Sequence, residues 1–338
     1  MIKTLLSFFV VIAALGNAYG GINGDGDPRV VIGWLGERPD YVPRSTKNVW
    51  DTSPYRSIVK VELEDHYGTG EFISPKHVLT NVHVAEYCGL KGNEKEYDEC
   101  LIYTSDDDLH WARVAFSGMY KIKPDGTVNE DIIYGGRDKD WAVLEITDDY
   151  CHPEYRGFQE AGTIEHNLWR AGFGSLRVLE KSDIDAMRKA YLIYLDAGGV
   201  DNEETGGMTI NTDAEKYAIF RDAFAQLTGK DFDTDYDSDV NTLKLVTGCR
   251  FRDINDEVPH QAGLSHSCSS WAGDSGSTIK LMSGNEVVGL NSSGYRNITS
   301  YQEYTGSDTA LRVHMFLRRS EIQAAIEKAK QECSMAKK

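Results

Sequence analysis

The chain has 338 residues, a formal net charge of −17, 41% hydrophobic and 26% charged residues. That hydrophobic fraction supports a packed core and excludes global disorder. The acidic balance argues against nucleic acid and against anionic membranes as partners, because both call for a basic face. Length alone suggests about two domains.

Residues 1–20 carry one base, Lys3, then an apolar run from Leu5 to Leu15, then small residues at Ala18 and Gly20. The run is too short to span a bilayer and has the layout of a secretory signal peptide, so the chain is expected to be secreted, extracellular or periplasmic. The six cysteines all lie beyond it, at 88, 100, 151, 249, 268 and 333. An even count in an exported chain favours disulfides over metal or redox sites. The spacing does not choose among the 15 pairings that six cysteines allow. The expected bridges are Cys88–Cys100, Cys249–Cys268 and Cys151–Cys333, and only the first two follow from proximity.

From about residue 55 to 175 short strands alternate with Gly, Asp and Pro clusters. Ser57–Leu63 alternates apolar and polar residues as a half-buried strand does. Gly70–Ile73, His77–Leu79, Ala112–Phe116, Trp141–Ile146 and Leu168–Ala171 read likewise, and the pattern resumes at Thr242–Thr247, Gly276–Leu281 and Glu286–Leu290. Such spacing predicts an all-β barrel or sandwich. Lys181–Asn241 interrupts it as a largely helical insertion. Ser182-x-x-Asp185 and Thr212-x-x-Glu215 look like capping boxes, Tyr217, Phe220, Phe224 and Leu227 share a helix face, and Gly229 stands at the C-cap. The insertion holds 14 acids against 6 bases, a net of −8, so nearly half of the chain's acidity is local to it. A final helix opens at Ser320-x-x-Gln323, with Ile322, Ile326, Ala329 and Cys333 on one stripe, and residues 331–338 are expected as its tail.

Three segments carry chemistry. Val78-Leu-Thr-Asn-Val-His83 runs a strand into a histidine, Asp138-Lys-Asp140-Trp-Ala-Val-Leu opens a buried strand with an aspartate, and Gly273-Asp274-Ser275-Gly276-Ser277 is a specific serine motif. The first two are weak alone, since packing histidines and turn aspartates are common. Together they stand in the order His, Asp, Ser, one of the chain orders of a hydrolytic triad. A serine hydroxyl needs a base to take its proton, imidazole has the pKa for that task, and a carboxylate holds its tautomer.

On these motifs the chain resembles the chymotrypsin/trypsin superfamily of serine endopeptidases. Leu79-Thr-Asn-Val-His83-Val and Pro54-Tyr-Arg-Ser-Ile-Val-Lys60 resemble its V8-like glutamyl-endopeptidase branch. The resemblance spans about Val30 to Lys328 apart from the insertion. It implies an all-β, trypsin-like fold of two packed antiparallel six-stranded β-barrels, interrupted by the 181–241 insertion and closed by a C-terminal helix, one catalytic unit at 30–330. It implies His83 as general base, Asp140 as its orienter and Ser275 as nucleophile, with the Gly273 and Ser275 N–H groups as oxyanion hole and protein or peptide substrates as partners.

The same resemblance implies that Ser292 hydrogen-bonds Asp140 and that Gly294 leaves room for the substrate side chain before the scissile bond. Ser269 stands at the pocket base, where trypsin-like members have an aspartate. Asn291 stands where V8-like members have a histidine. Neither basic nor glutamate specificity is implied, and Ser270 and Asn291 would hydrogen-bond a polar side chain. Pro28-Arg29-Val30-Val31-Ile32-Gly33 resembles a zymogen junction, with 21–29 as a short propeptide and the freed ammonium of Val30 pairing with Asp274, although the glycine falls one residue late.

No metal or organic cofactor is implied for catalysis. Asp231–Asp239 alternates five carboxylates, but an EF-hand loop starting at Asp231 would need Gly and Glu where Tyr236 and Thr242 stand, so the segment reads as a solvated acidic loop before a calcium site. Asn291-Ser-Ser and Asn297-Ile-Thr are glycosylation sequons, but Asn291 should line the cleft, which disfavours modification there, and Asn297 would be modified only in a eukaryotic source. The competing class is a catalytically silent protease homologue that binds a partner; such proteins typically lose a triad residue, and none is missing here.

Overall fold

The computed structural model describes residues 29–336 apart from 64–65, 86–87, 90–98, 119–120, 123–127, 130–138, 163–164, 175–180, 200–213, 233–238, 253–262, 269–272 and 296–306. The expected signal segment, residues 21–28 of the expected propeptide, Thr212, most of the acidic loop, Ser269, Ser270 and Asn297 therefore lie outside the described residues.

The chain opens with β1 (Val30–Trp34), then β2 (Ile58–Leu63), β3 (His66–Ser74), β4 (His77–Thr80) and the short helix α1 (Val82–Ala85). It continues with β5 (Cys100–Tyr103), β6 (Leu109–Ser117), the paired two-residue strands β7 (Lys121–Ile122) and β8 (Val128–Asn129), β9 (Ala142–Ile146) and β10 (Leu168–Gly172). After the insertion helices α2 (Lys181–Asp196) and α3 (Ala214–Thr228) come β11 (Thr242–Cys249), β12 (Phe251–Arg252), β13 (Gly263–His266), β14 (Thr278–Leu281), β15 (Val287–Tyr295) and β16 (Ser307–Arg312). Helices α4 (His314–Leu317) and α5 (Ser320–Ala336) end the fold.

Strands β2-β3-β4-β9-β6-β5 close into an antiparallel barrel, and β1-β11-β10-β14-β15-β16-β13-β12 form a second antiparallel sheet. The second sheet has eight strands because β1 and the two-residue β12 flank the six expected. Val59, Val61, Phe72, Val78, Ile102, Val114 and Leu144 fill the barrel. β2 is not half-buried: Ile58 to Val61 are all buried, and Lys60 on its polar face donates to Asn241 Oδ1, at the end of the insertion, at 3.1 Å.

The two sheets share a core. Ile73, Leu79 and Val143 of the barrel pack with Val287, Leu290 and Leu311 of the second sheet and with Ile322 and Ile326 of α5. A buried ion pair crosses the same junction: Lys280 Nζ on β14 lies 2.6 Å from Glu71 Oε2 on β3, and Ser57 Oγ donates to Glu71 Oε1 at 2.9 Å. Burial pushes the Lys280 ammonium below the usual lysine range, opposed by Glu71. Removing one partner would strand the other charge in low dielectric, so the pair fixes how the sheets meet.

The insertion helices pack on each other through Tyr191, Tyr194, Phe220 and Phe224, with Phe232 edge-on to both phenylalanines. Leu227 leaves this face and is exposed. Gly229 takes the C-cap position, its N–H donating to Ala225 O. Ser182 and Ser320 lie within α2 and α5 rather than before them, so neither is the N-cap expected. In α5, Ile322, Ile326, Ala329 and Cys333 are the buried stripe, and residues 331–336 are helix rather than tail. The disulfides are Cys88–Cys100, Cys151–Cys333 and Cys249–Cys268.

Candidate active site

His83 sits on α1, the single helical turn that follows β4, and its side chain is 44% exposed. Asp140 precedes β9, the barrel strand paired with β4, which brings the two side chains to one end of the barrel. His83 Nδ1–H points at the Asp140 carboxylate, 2.9 Å from Oδ2 and 3.0 Å from Oδ1, and the His83 backbone N–H donates to Oδ1 at 3.1 Å. With Nδ1 held as donor, Nε2 is left as the basic nitrogen facing away from Asp140. Ser292 Oγ on β15 donates to Asp140 Oδ2 at 2.6 Å, and Asn81 Nδ2 donates to Asp140 O at 2.7 Å.

The Ser275 loop hangs from the same strand β15. Gly276 N–H donates to Asn291 O, Asn291 N–H donates to Ser277 O, and Asn291 Nδ2 donates to Asp274 O. β15 thus anchors Asp140 through Ser292 and the serine loop through the adjacent Asn291. From the barrel, Thr69 on β3 grips the loop on both sides of the serine: its N–H donates to Ser275 O and its Oγ1 to Gly273 O, each at 2.8 Å. Close approach requires glycine at position 68, where a Cβ would lie 2.6 Å from Val84, the neighbour of His83, and 3.1 Å from Ser275 O. The histidine turn and the serine loop therefore converge on one point of β3.

Gly273 and Gly276 have φ of 88° and 81°, the left-handed region that side chains disfavour. A Cβ at Gly276 would also lie 2.1 Å from Thr69 O. These two positions turn the backbone sharply around Ser275, as a loop that aims successive N–H groups into one hole requires.

One expectation is corrected. Asn291 is only 3% exposed, and its amide is engaged at both ends, accepting from His266 Nε2 at 3.0 Å and donating to Asp274 O, so it is not free for a substrate side chain. The pairing of Asp274 with a freed Val30 ammonium belongs to a cut chain; in the continuous chain Asp274 meets another cation. It is Arg170 on β10, whose Nη1 lies 2.8 Å from Oδ1 and whose Nη2 donates to Oδ2 at 3.0 Å. Val30 instead starts β1, opposite Leu245, and the Arg29 side chain is buried.

Gly294 pairs with Asp308 of β16 on the continuation of β15. Asp239, expected in a solvated loop, is buried, with Lys244 Nζ 3.0 Å from its Oδ2. Burial pulls the Lys244 ammonium down to about 8, and Asp239 opposes the shift. Among the described residues no group of three or more His, Cys, Asp or Glu is placed to hold a metal ion. Thr69 and Arg170 were missed in the sequence. The available signal for Arg170 was a charge inside Leu168–Ala171, a run otherwise apolar on both faces.

A closed antiparallel barrel facing a second antiparallel sheet, with the His–Asp pair and the serine loop held where they meet, is the chymotrypsin/trypsin-like fold. No protein-family model matches the chain, and no curated protein matches it in sequence. Among solved structures it is similar to a Glu endopeptidase, at 15% identity and a TM-score of 0.44 over 89% of this chain and 100% of that one. It is also similar to neuropsin, a serine protease of mouse brain, at 9% identity and 0.44 over 81% and 95% of the two chains. The active form of the Rv3671c protease from M. tuberculosis matches at 14% identity and 0.40 over 83% and 91%.

Proposed function

We propose that the protein is a secreted serine endopeptidase that hydrolyses peptide bonds through an acyl-enzyme on Ser275. His83 takes the Ser275 hydroxyl proton as the hydroxyl oxygen attacks the scissile carbonyl, then gives it to the leaving amine; water repeats the cycle on the ester. Asp140 holds the imidazole tautomer and stabilises the imidazolium. The N–H groups of Gly273 and Ser275 receive the oxyanion, a contribution of about 3–4 kcal/mol per donor where it has been tested.

The observation that carries this reading is the His83–Asp140 pair, fastened through Ser292 to the strand that also suspends the Gly-Asp-Ser-Gly loop. Protein or peptide substrates follow from that chemistry. Secretion follows from the signal-like segment and from three disulfides, which persist in oxidising compartments. The mechanism uses no metal or organic cofactor.

A fluorophosphonate probe, which phosphonylates an activated serine, tests the reading. Wild type is expected to label and Ser275→Ala is not. Failure of folded wild type to label would leave the silent binding homologue as the function, and equal labelling of Ser275→Ala would move the nucleophile elsewhere.

A further inference from the structure

We infer that Arg170 is a positioning residue that supplies the internal counter-ion of the oxyanion loop, so that the chain is competent without a cut that frees an amino terminus at Val30. The inference rests on the protease reading above and concerns what shapes its site.

Asp274 stands between the oxyanion donors Gly273 and Ser275, and its carboxylate is 1% exposed. A carboxylate so buried needs a cation and fixed donors, or its loop would open to solvate it. Arg170 Nη2 donates to Asp274 Oδ2 at 3.0 Å, Nη1 lies 2.8 Å from Oδ1 as an ion pair, and Nη1 donates to Ser277 Oγ at 3.0 Å. One guanidinium therefore holds the loop on both sides of Ser275. Two hydrogen bonds from one planar guanidinium, to Asp274 and to Ser277, impose geometry as well as charge.

The surroundings are shaped to the pair. A Cβ at Gly172 would lie 2.5 Å from Asp274 Oδ1, and one at Gly174 would lie 2.7 Å from Oδ2, so two glycines make the cradle in which the carboxylate sits. Behind it Lys244 Nζ donates to Gly174 O at 2.6 Å, placing a second buried cation beside the cradle. The strand carrying Arg170 is paired on both sides, with β11 and with β14, which fixes where the guanidinium points. The junction meanwhile is poorly disposed to be cut. Arg29 is 2% exposed, and a protease cleaving after it would have to withdraw that side chain from the fold.

Intact-mass analysis of the fluorophosphonate-labelled secreted protein tests the inference. The adduct is expected on chains continuous through Arg29–Val30. An adduct found only on chains that begin at Val30 or Val31 would overturn the inference while leaving the protease reading in place. No adduct on any chain would overturn both.

A second arm separates positioning from folding. The paired variant Arg170→Met/Asp274→Asn removes both charges at similar volume. It is expected to keep the native circular dichroism while kcat falls about 100-fold and KM stays within about 3-fold, the signature of an interaction made only in the transition state. Arg170→Lys keeps the charge without the planar guanidinium that bonds both Asp274 and Ser277, and is expected to recover part of that kcat. Full kcat in the paired variant, or a loss confined to KM, would make the pair structural only. If the paired variant does not fold, Arg170→Lys decides: kcat equal to wild type overturns the positioning role of the guanidinium.

Discussion

Ser292 Oγ donates to Asp140 Oδ2 at 2.6 Å from a strand of the second sheet, while Asp140 itself belongs to the barrel. The orientation of His83 is thus set by both halves of the molecule. Ser292→Ala is expected to lower kcat about 10-fold with KM nearly unchanged, since Asp140 keeps its bonds to His83 but loses its cross-sheet anchor. Asp140→Asn, which favours the wrong tautomer, is expected to cost about four orders of magnitude in kcat. Steady-state hydrolysis of one peptide substrate by the two variants checks both, and equal losses would remove the ranking.

Gly276→Ala is expected to destabilise the protein rather than merely slow it. The substitution adds strain at φ 81° and drives a methyl to within 2.1 Å of Thr69 O and 2.3 Å of Thr80 Oγ1, both in the barrel. The expected loss is about 3 kcal/mol or more, combining backbone strain and overpacking. Denaturant unfolding at neutral pH measures it; a loss under 1 kcal/mol would mean that the serine loop can shift away from β3.

Cys151–Cys333 ties α5 to the body across a sequence separation of 182 residues. Cys151→Ser/Cys333→Ser should cost about 3–5 kcal/mol, because a loop that long constrains the unfolded chain strongly. The remaining stripe of Ile322, Ile326 and Ala329 should keep α5 docked at 25 °C. Unfolding midpoints under non-reducing conditions test the first statement, and retention of α5 amide protection tests the second.

His152 supplies a pH dependence. Its ring is buried, stacked on Phe72 at 4.2 Å, with Nδ1 against Glu154 O, and burial lowers its pKa to about 4. The unfolded chain binds a proton near pH 6.5 while the folded one does not until about pH 4. The stability from a neutral His152 is therefore complete above pH 6.5 and is lost as pH falls toward 4. About 2 kcal/mol should disappear between pH 7 and pH 5 in wild type and not in His152→Asn. Parallel urea titrations at the two pH values read the difference; identical slopes for the two proteins would refute it.

Part of this molecule could be read along the chain. The His, Asp and Ser segments, the buried stripe of α5 and the packing face from Tyr217 to Phe224 are local patterns of period and residue type. Bridges between near cysteines are local as well. β13 and β16 were missed, since Gly263–His266 and Ser307–Arg312 are short and carry mixed polar residues, and their strand form comes from pairing with each other and with β15. The bond between Ser292 and Asp140 was reachable only through resemblance, because 152 residues separate the two.

By itself the sequence determined the order of the three catalytic-type segments, an all-β body with a helical interruption, and where its acidity is concentrated. Only the tertiary structure decided which cation faces Asp274. Arg170 stands 104 residues away, and its guanidinium reaches the carboxylate because β10 lies beside β14, the strand that follows the serine loop. Asn291 likewise looked available for substrate until His266 and Asp274 O were seen to occupy its amide. Residue type declares what a side chain can bond, whereas strand adjacency and burial decide which partner reaches it before solvent or substrate does.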